Sequence, residues 1–146
     1  MSLALVFQVI ATLASGLFTG AAVYINLVEH PARMACGTRL AATEFGPSYH
    51  RAAVMQASLA AIGFLTAAIG WLMGSGWWWL VGGIFLVSVI PFTLIAIMPT
   101  NKKLLDPNLD RESELATRLL TRWNRLHSVR TLLGLISFVI FVVAGR

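Results

Sequence analysis

Trp123-Asn124-Arg125-Leu126-His127-Ser128-Val129-Arg130 runs without interruption into the apolar stretch Thr131–Ala144. On a helix, Trp123, His127 and Arg130 stand at i, i+4 and i+7 and share one face, while Arg118, Arg122 and Arg125 fall on the other side. The basic side suits solvent. The second polar face therefore points at something inside the protein. The apolar stretch behind it is shorter than the about 20 residues that a bilayer span requires. A span built on it draws His127 and Arg130 into the membrane edge. An ionisable side chain at that depth is costly and by default marks a functional site.

Composition places the whole chain in the same setting. Of its 146 residues, 58% are hydrophobic and 12% charged, and the mean hydropathy is +0.78. A soluble domain carries about 25% charged residues, so this is a small polytopic membrane protein of one domain. The net charge of +5 suits anionic lipid headgroups, because the charges flank the spans, and gives no reason to invoke nucleic acid. The single Cys36 excludes an internal disulfide and argues against a cysteine metal cluster. Residues 1–28 lack a basic start, and their apolar run is too long for a signal peptide, so they read as a retained span. No Gly-rich phosphate loop, nucleophile elbow or nucleotide motif occurs, which leaves kinases, nucleotide-dependent dehydrogenases and serine hydrolases without support.

The pattern predicts an all-α fold: a four-transmembrane-helix antiparallel bundle, residues 1–146 as a single integral membrane domain, with a cytoplasmic extension of helix 4. The spans fall at about 3–28, 52–73, 77–98 and 125–144, and helix 4 starts near 113. In the first span Thr12, Ser15, Thr19, Asn26, His30 and Arg33 lie in one narrow arc, which should face other helices. Pro31 ends or kinks that helix at His30. Segment 29–51 is too polar to span; a short interfacial helix fits within Ala35–Phe45, Gly46-Pro47 marks a break, and Ser48 is placed to cap span 2. In span 2, Gln56, Ala60, Gly63, Ala67 and Gly70 form a seam for close helix contact. Trp77-Trp78-Trp79 reads as an interfacial belt. Pro91 predicts a kink near Val87–Pro91, and span 3 is expected to stop at Pro99-Thr100-Asn101. All Lys and Arg except Arg146 lie in 29–51 or 101–130. The positive-inside rule makes those segments cytoplasmic, puts both termini outward, and suits an inner (cell) membrane.

The candidate site joins Asn26, Glu29 and His30 to Trp123, His127 and Arg130, with Thr93 and Asn101 from span 3 nearby. His30 and His127 each have an Arg three positions on. A histidine near neutrality can take a proton from a phenol or an activated C–H. Arg130 can hold the developing anion at low dielectric, and Trp123 offers a flat face to an aromatic ligand. Plain alternatives stand beside these roles. His127 as a structural histidine, Arg130 snorkelling to headgroups or paired with Glu29, Trp123 as an anchor, Asn101 as a helix cap, and His50 as an exposed residue all fit the spacing. No pair of histidines has local metal-site spacing, so the signal for a metal is weak, and no cofactor is assigned. Haem or a metal ion held by His30 and His127 remains the alternative. The partners expected are the lipid bilayer and a small apolar ligand, with a homo-oligomer left open.

At these same residues the chain resembles a known family. Val28-Glu29-His30-Pro31-Ala32-Arg33, Ser48-Tyr49-x-Arg51-Ala52, Pro91-Phe92-Thr93, Pro99-Thr100-Asn101 and Trp123-x-x-Leu126-His127-x-x-Arg130-Thr131 are similar to the pattern of the anthrone oxygenase-like integral membrane proteins (DUF1772). The resemblance implies four spans. It also implies oxidation of anthrones to anthraquinones by dioxygen without a recognised cofactor, as associated with fungal members. It puts His30, Asn101, Trp123, His127 and Arg130 at shared positions. Fold transfers along such a resemblance more readily than substrate. The first function expected is a membrane oxygenase or oxidoreductase for a small apolar phenolic, anthrone- or quinone-like molecule. The second is a non-catalytic subunit holding haem, a quinone or a partner helix. A small transporter ranks third, since four helices would transport only as an oligomer.

Overall fold

Four long helices make up the computed structural model, which describes residues 2–146: α1 Leu3–Ala35, α2 Thr38–Leu72, α3 Trp77–Leu104 and α4 Glu114–Ala144. Each is long and apolar enough to cross a membrane, and there is no strand among the described residues. The connections are short. Cys36-Gly37 joins α1 to α2, residues 73–76 join α2 to α3, and residues 105–113 join α3 to α4. Such links force antiparallel neighbours. Around the bundle α1 packs on α2 and α4, and α3 closes the ring between those two. Gly37 and Gly76 reverse the chain with φ of 98° and 94°, a region a side chain would resist. Ser2 and Ser113 cap α1 and α4, each accepting from the backbone N–H three residues on at 3.2 Å.

Gln56, Ala60, Gly63, Ala67 and Gly70 are all buried, and this seam brings α2 close to α1 and to the first half of α3. A Cβ on Gly63 would collide with the Leu86 side chain, and one on Gly83 would lie 3.2 Å from Ala67 Cβ. Facing α4, a Cβ on Gly82 would come within 2.5 Å of the Phe141 ring. The α1 stripe turns inward as well: Ser15, Thr19, His30 and Arg33 are buried, and Ser15 donates to Ser137 of α4 at 3.2 Å.

Four sequence expectations need correction. Segment 29–51 is not a loop with a short surface helix. α1 continues to Ala35, and α2 runs unbroken from Thr38 through Pro47. Pro47 and Thr43, whose carbonyl Pro47 leaves free, are both exposed, so water can satisfy the orphaned group. Ser48 caps nothing, because its hydroxyl donates to Glu29 instead. Neither Pro31 nor Pro99 ends a helix: a wide π-helical turn precedes each, at Ile25–Glu29 and Thr93–Ile97, and the helix resumes beyond it. In such a turn the hydrogen bonds skip one residue, which makes room for a ring that has no N–H to give. α3 therefore runs on to Leu104. The α-helical pattern does break at Ser88, within the region where Pro91 predicts a kink. Lastly, Trp77 and Trp78 are exposed, but Trp79 is buried and stacked on Phe141 at 5.2 Å. It is a core residue, not part of a belt.

The helices outreach the bilayer. At about 1.5 Å per residue α2 is about 50 Å long, against a hydrocarbon layer of about 30 Å. The excess lies at one end, where Thr38 Oγ1 meets Thr117 Oγ1 at 2.8 Å and Ala41, Ala42 and Phe45 pack with Leu119, Leu120 and Trp123.

Candidate functional site

The polar centre is assembled around Asn26, which the π-helical turn of α1 presents to α4. Its Nδ2 donates to the Asn124 side chain at 2.7 Å and to the Asn124 backbone carbonyl at 3.2 Å. A backbone carbonyl only accepts, so the amide orientation is fixed and Oδ1 faces the other way. That oxygen lies 3.0 Å from His127 Nδ1 and also accepts from the Thr131 hydroxyl. His127 Nδ1 must then carry the proton and donate it. The lone pair of the neutral ring sits on Nε2, which has no hydrogen-bond partner among the described residues. His127 is 2% exposed and lines a small cavity.

Trp123, one turn earlier, stacks on the His127 ring at 4.8 Å between centroids and meets the His30 ring at 5.9 Å. Phe45 meets its edge at 5.3 Å. Both imidazoles are buried against one indole, and His30 Nδ1 has no partner. Arg130 is 9% exposed. Its Nη2 donates to Gln56 Oε1 at 2.7 Å, its guanidinium carbon lies 5.7 Å from the Phe18 ring centroid, and its Nε is unpartnered. Among the described residues no carboxylate pairs with it. The sequence-based pairing of Arg130 with Glu29 is therefore wrong. Glu29 is held by Arg33 and Ser48, and Arg33 Nε lies 3.0 Å from Glu44. An arginine four residues along the same helix outcompetes one that must come from α4.

The cavity measures ≈ 20 Å³ and is walled by Arg33, Tyr49, Gln56, Trp123, His127 and Arg130, room for about one water molecule. A larger cleft of ≈ 150 Å³ lies beside it between α2 and α3; Thr93, Tyr49 and Arg130 line it. Thr93 thus faces the cleft rather than the cavity, its hydroxyl donating to the Val89 carbonyl at 2.6 Å. Asn101 is fully buried and neither side-chain polar atom has a partner. It caps nothing, since α3 continues past it. His50 is exposed. Gln56, Arg33 and Tyr49 are cavity residues that sequence reasoning left out of the site. Gln56 carried a usable signal: it is the one amide in an otherwise small-residue seam. Among the described residues no three His, Cys, Asp or Glu side chains gather where they would hold a metal ion.

A four-helix, multi-pass membrane bundle, with an oriented histidine and a buried arginine around a closed polar centre, is the class these features define. The family model described as Anthrone oxygenase matches residues 45–140, and the chain belongs to that family. The match takes in Tyr49, Gln56, Thr93, Asn101, Trp123, His127 and Arg130, while Asn26, Glu29, His30 and Arg33 precede it. No curated protein and no solved structure matches the chain.

Proposed function

We propose that the protein is a membrane-embedded oxygenase for a small, flat, lipid-soluble molecule bearing an acidic C–H or phenolic O–H, such as an anthrone. One observation carries this reading: Arg130 is a buried cation with no carboxylate partner. A charge buried without a pair costs several kcal/mol, and the 14 residues 131–144 set Arg130 about 21 Å from the far end of α4, inside the hydrocarbon layer. A bundle retains such a group where an anion forms beside it.

The chemistry follows from the two neighbours. His127 Nε2 takes the proton from the substrate, and Asn26 accepts the Nδ1 hydrogen bond that keeps the ring in the right tautomer and strengthens as charge develops. Arg130, steadied by Gln56, holds the enolate oxygen. Dioxygen takes electrons from that anion and a C–O bond forms. The resulting hydroperoxide loses water to leave a new carbonyl, so one oxygen atom enters product and the other leaves as water. The substrate itself is the reductant. His30, with a free Nδ1 beside Trp123, is the second base candidate. Trp123 supplies an aromatic face for the ligand, and Glu29, through Arg33, braces the cavity wall. Asn101 contributes unpaired amide atoms on α3. In this reading neither His30 nor His127 ligates haem or a metal ion: both rings are packed on Trp123, and the space beside His127 is ≈ 20 Å³. The basic segments near the site support a position at the cytoplasmic leaflet of the cell membrane, with both termini outside.

The test is anthrone turnover by the protein in nanodiscs, following dioxygen uptake and anthraquinone together. The expected result is one dioxygen per product, with His127→Ala slower by about 10²–10⁴-fold, the range for loss of a general base. Wild-type turnover no faster than that of empty nanodiscs sinks the oxygenase reading, and equal turnover by wild type and His127→Ala removes His127 as the base. The second reading, a non-catalytic subunit that binds a quinone, is favoured by the smallness of the cavity. It predicts tight ligand retention with no oxygen uptake.

A further inference from the structure

The cavity beside His127 is too small for an aromatic ring, and Arg130 belongs to two spaces at once. Together with Tyr49 and Ala53 it forms the partition between the ≈ 20 Å³ cavity and the ≈ 150 Å³ cleft. That cleft exists for a reason visible along α3. Up to Val87 the helix is zipped to α2 through Gly83 and Leu86 against Ala67 and Gly63. At Ser88 the α-helical pattern breaks, Pro91 and the π-helical turn Thr93–Ile97 follow, and the close packing on α2 is lost. The mouth faces the hydrocarbon: Leu94 is 59% exposed, and Ala57 on the α2 side is exposed too. An apolar opening toward lipid has a buried guanidinium with an unpartnered Nε at its floor.

We propose that this α2–α3 cleft is the lateral port, through which a planar aromatic ketone or phenol passes from the bilayer core to lay its oxygen edge against Arg130 and, as Tyr49 turns aside, to reach His127 and Trp123 in the small cavity. The proton transfer to His127 rests on the oxygenase reading; the port does not. Small residues at Ala53 and Ala57 set the slot's width, and Tyr49, stacked on Phe45 at 5.7 Å, is the side chain that turns to join the two spaces. The larger groove between α1 and α2, which includes Ala21, Glu29, Glu44 and Arg51, is lined by charge and ends on the Arg33 ion pairs, so it does not suit an apolar entrant.

The experiment measures binding of anthraquinone, which the reaction does not consume, by retention of the radiolabelled compound on the protein in nanodiscs, alongside anthrone turnover. Ala57→Phe narrows the mouth without touching the core; it is expected to weaken anthraquinone binding and to lower kcat/KM at least ten-fold. Leu94→Ala, which widens the mouth, speeds binding several-fold. Ala21→Phe, in the other groove, stays within two-fold of wild type. Wild-type behaviour of Ala57→Phe and Leu94→Ala, or loss of binding in Ala21→Phe instead, overturns the port. A wild-type protein that binds no anthraquinone overturns it as well. Port variants that alter binding in a protein that never turns over anthrone leave the port standing and remove the oxygenase.

Discussion

Asn26 decides which nitrogen of His127 is basic, although it contacts no reacting atom in the proposed chemistry. It is a positioning residue, held by four residues of α4: Asn124, His127, Ser128 and Thr131. Replacing it by Leu strands the buried Nδ1–H, at a cost of about 1–3 kcal/mol, and frees the ring to change tautomer. The expected outcome for Asn26→Leu is a melting temperature lowered by several degrees, turnover reduced about 100-fold, and an imidazole nitrogen spectrum showing mixed tautomers. An unchanged spectrum with full turnover would remove Asn26 from the mechanism. The grouping of Trp123, His127 and Arg130 was legible because helix periodicity alone puts them on one face. Their partners were less so. Gln56 sits seventy-four residues away in sequence, and nothing local distinguishes a glutamine that receives a guanidinium from one that lines a seam.

Among the elements, α1, α2 and α3 each show why prolines mislead. Pro31, Pro47 and Pro99 each read as a helix boundary, yet the chain stays helical past all three, by inserting a π-helical turn or by exposing the freed carbonyl to water. Sequence propensity registers the missing N–H but not these two remedies. The small-residue seam was readable from spacing, because every member had to face a neighbour. Gly82 tests how tightly that contact is set. A methyl group there meets the Phe141 ring, itself pinned by Trp79. Gly82→Ala is expected to destabilise the bundle by about 1–3 kcal/mol through overpacking, measured by reversible unfolding in detergent. Stability within 0.5 kcal/mol (roughly the spread of neutral substitutions) would mean that α3 and α4 slide freely here.

At the scale of the whole molecule, the helices exceed the bilayer at one end only, and the basic residues gather there. Cys36, the single and exposed cysteine, sits at the tip of the α1–α2 hairpin. The charge bias predicts that an impermeant maleimide labels it in inside-out vesicles or after lysis, and not in intact cells; labelling of intact cells reverses the topology. The bundle was recoverable from hydropathy, whereas the helical extensions of α1 and α2 beyond the membrane were not, since a polar helix supported by tertiary contacts looks like a loop in isolation.

The nine-residue link 105–113 precedes the last helix, and that order has a consequence for biogenesis. Every side-chain partner of Asn26, and the partner of Ser15, lies on α4. If the chain enters the membrane in sequence order, the polar groups of α1 meet these partners only when the final helix arrives. The residues that orient the histidine thus also fasten the first helix to the last.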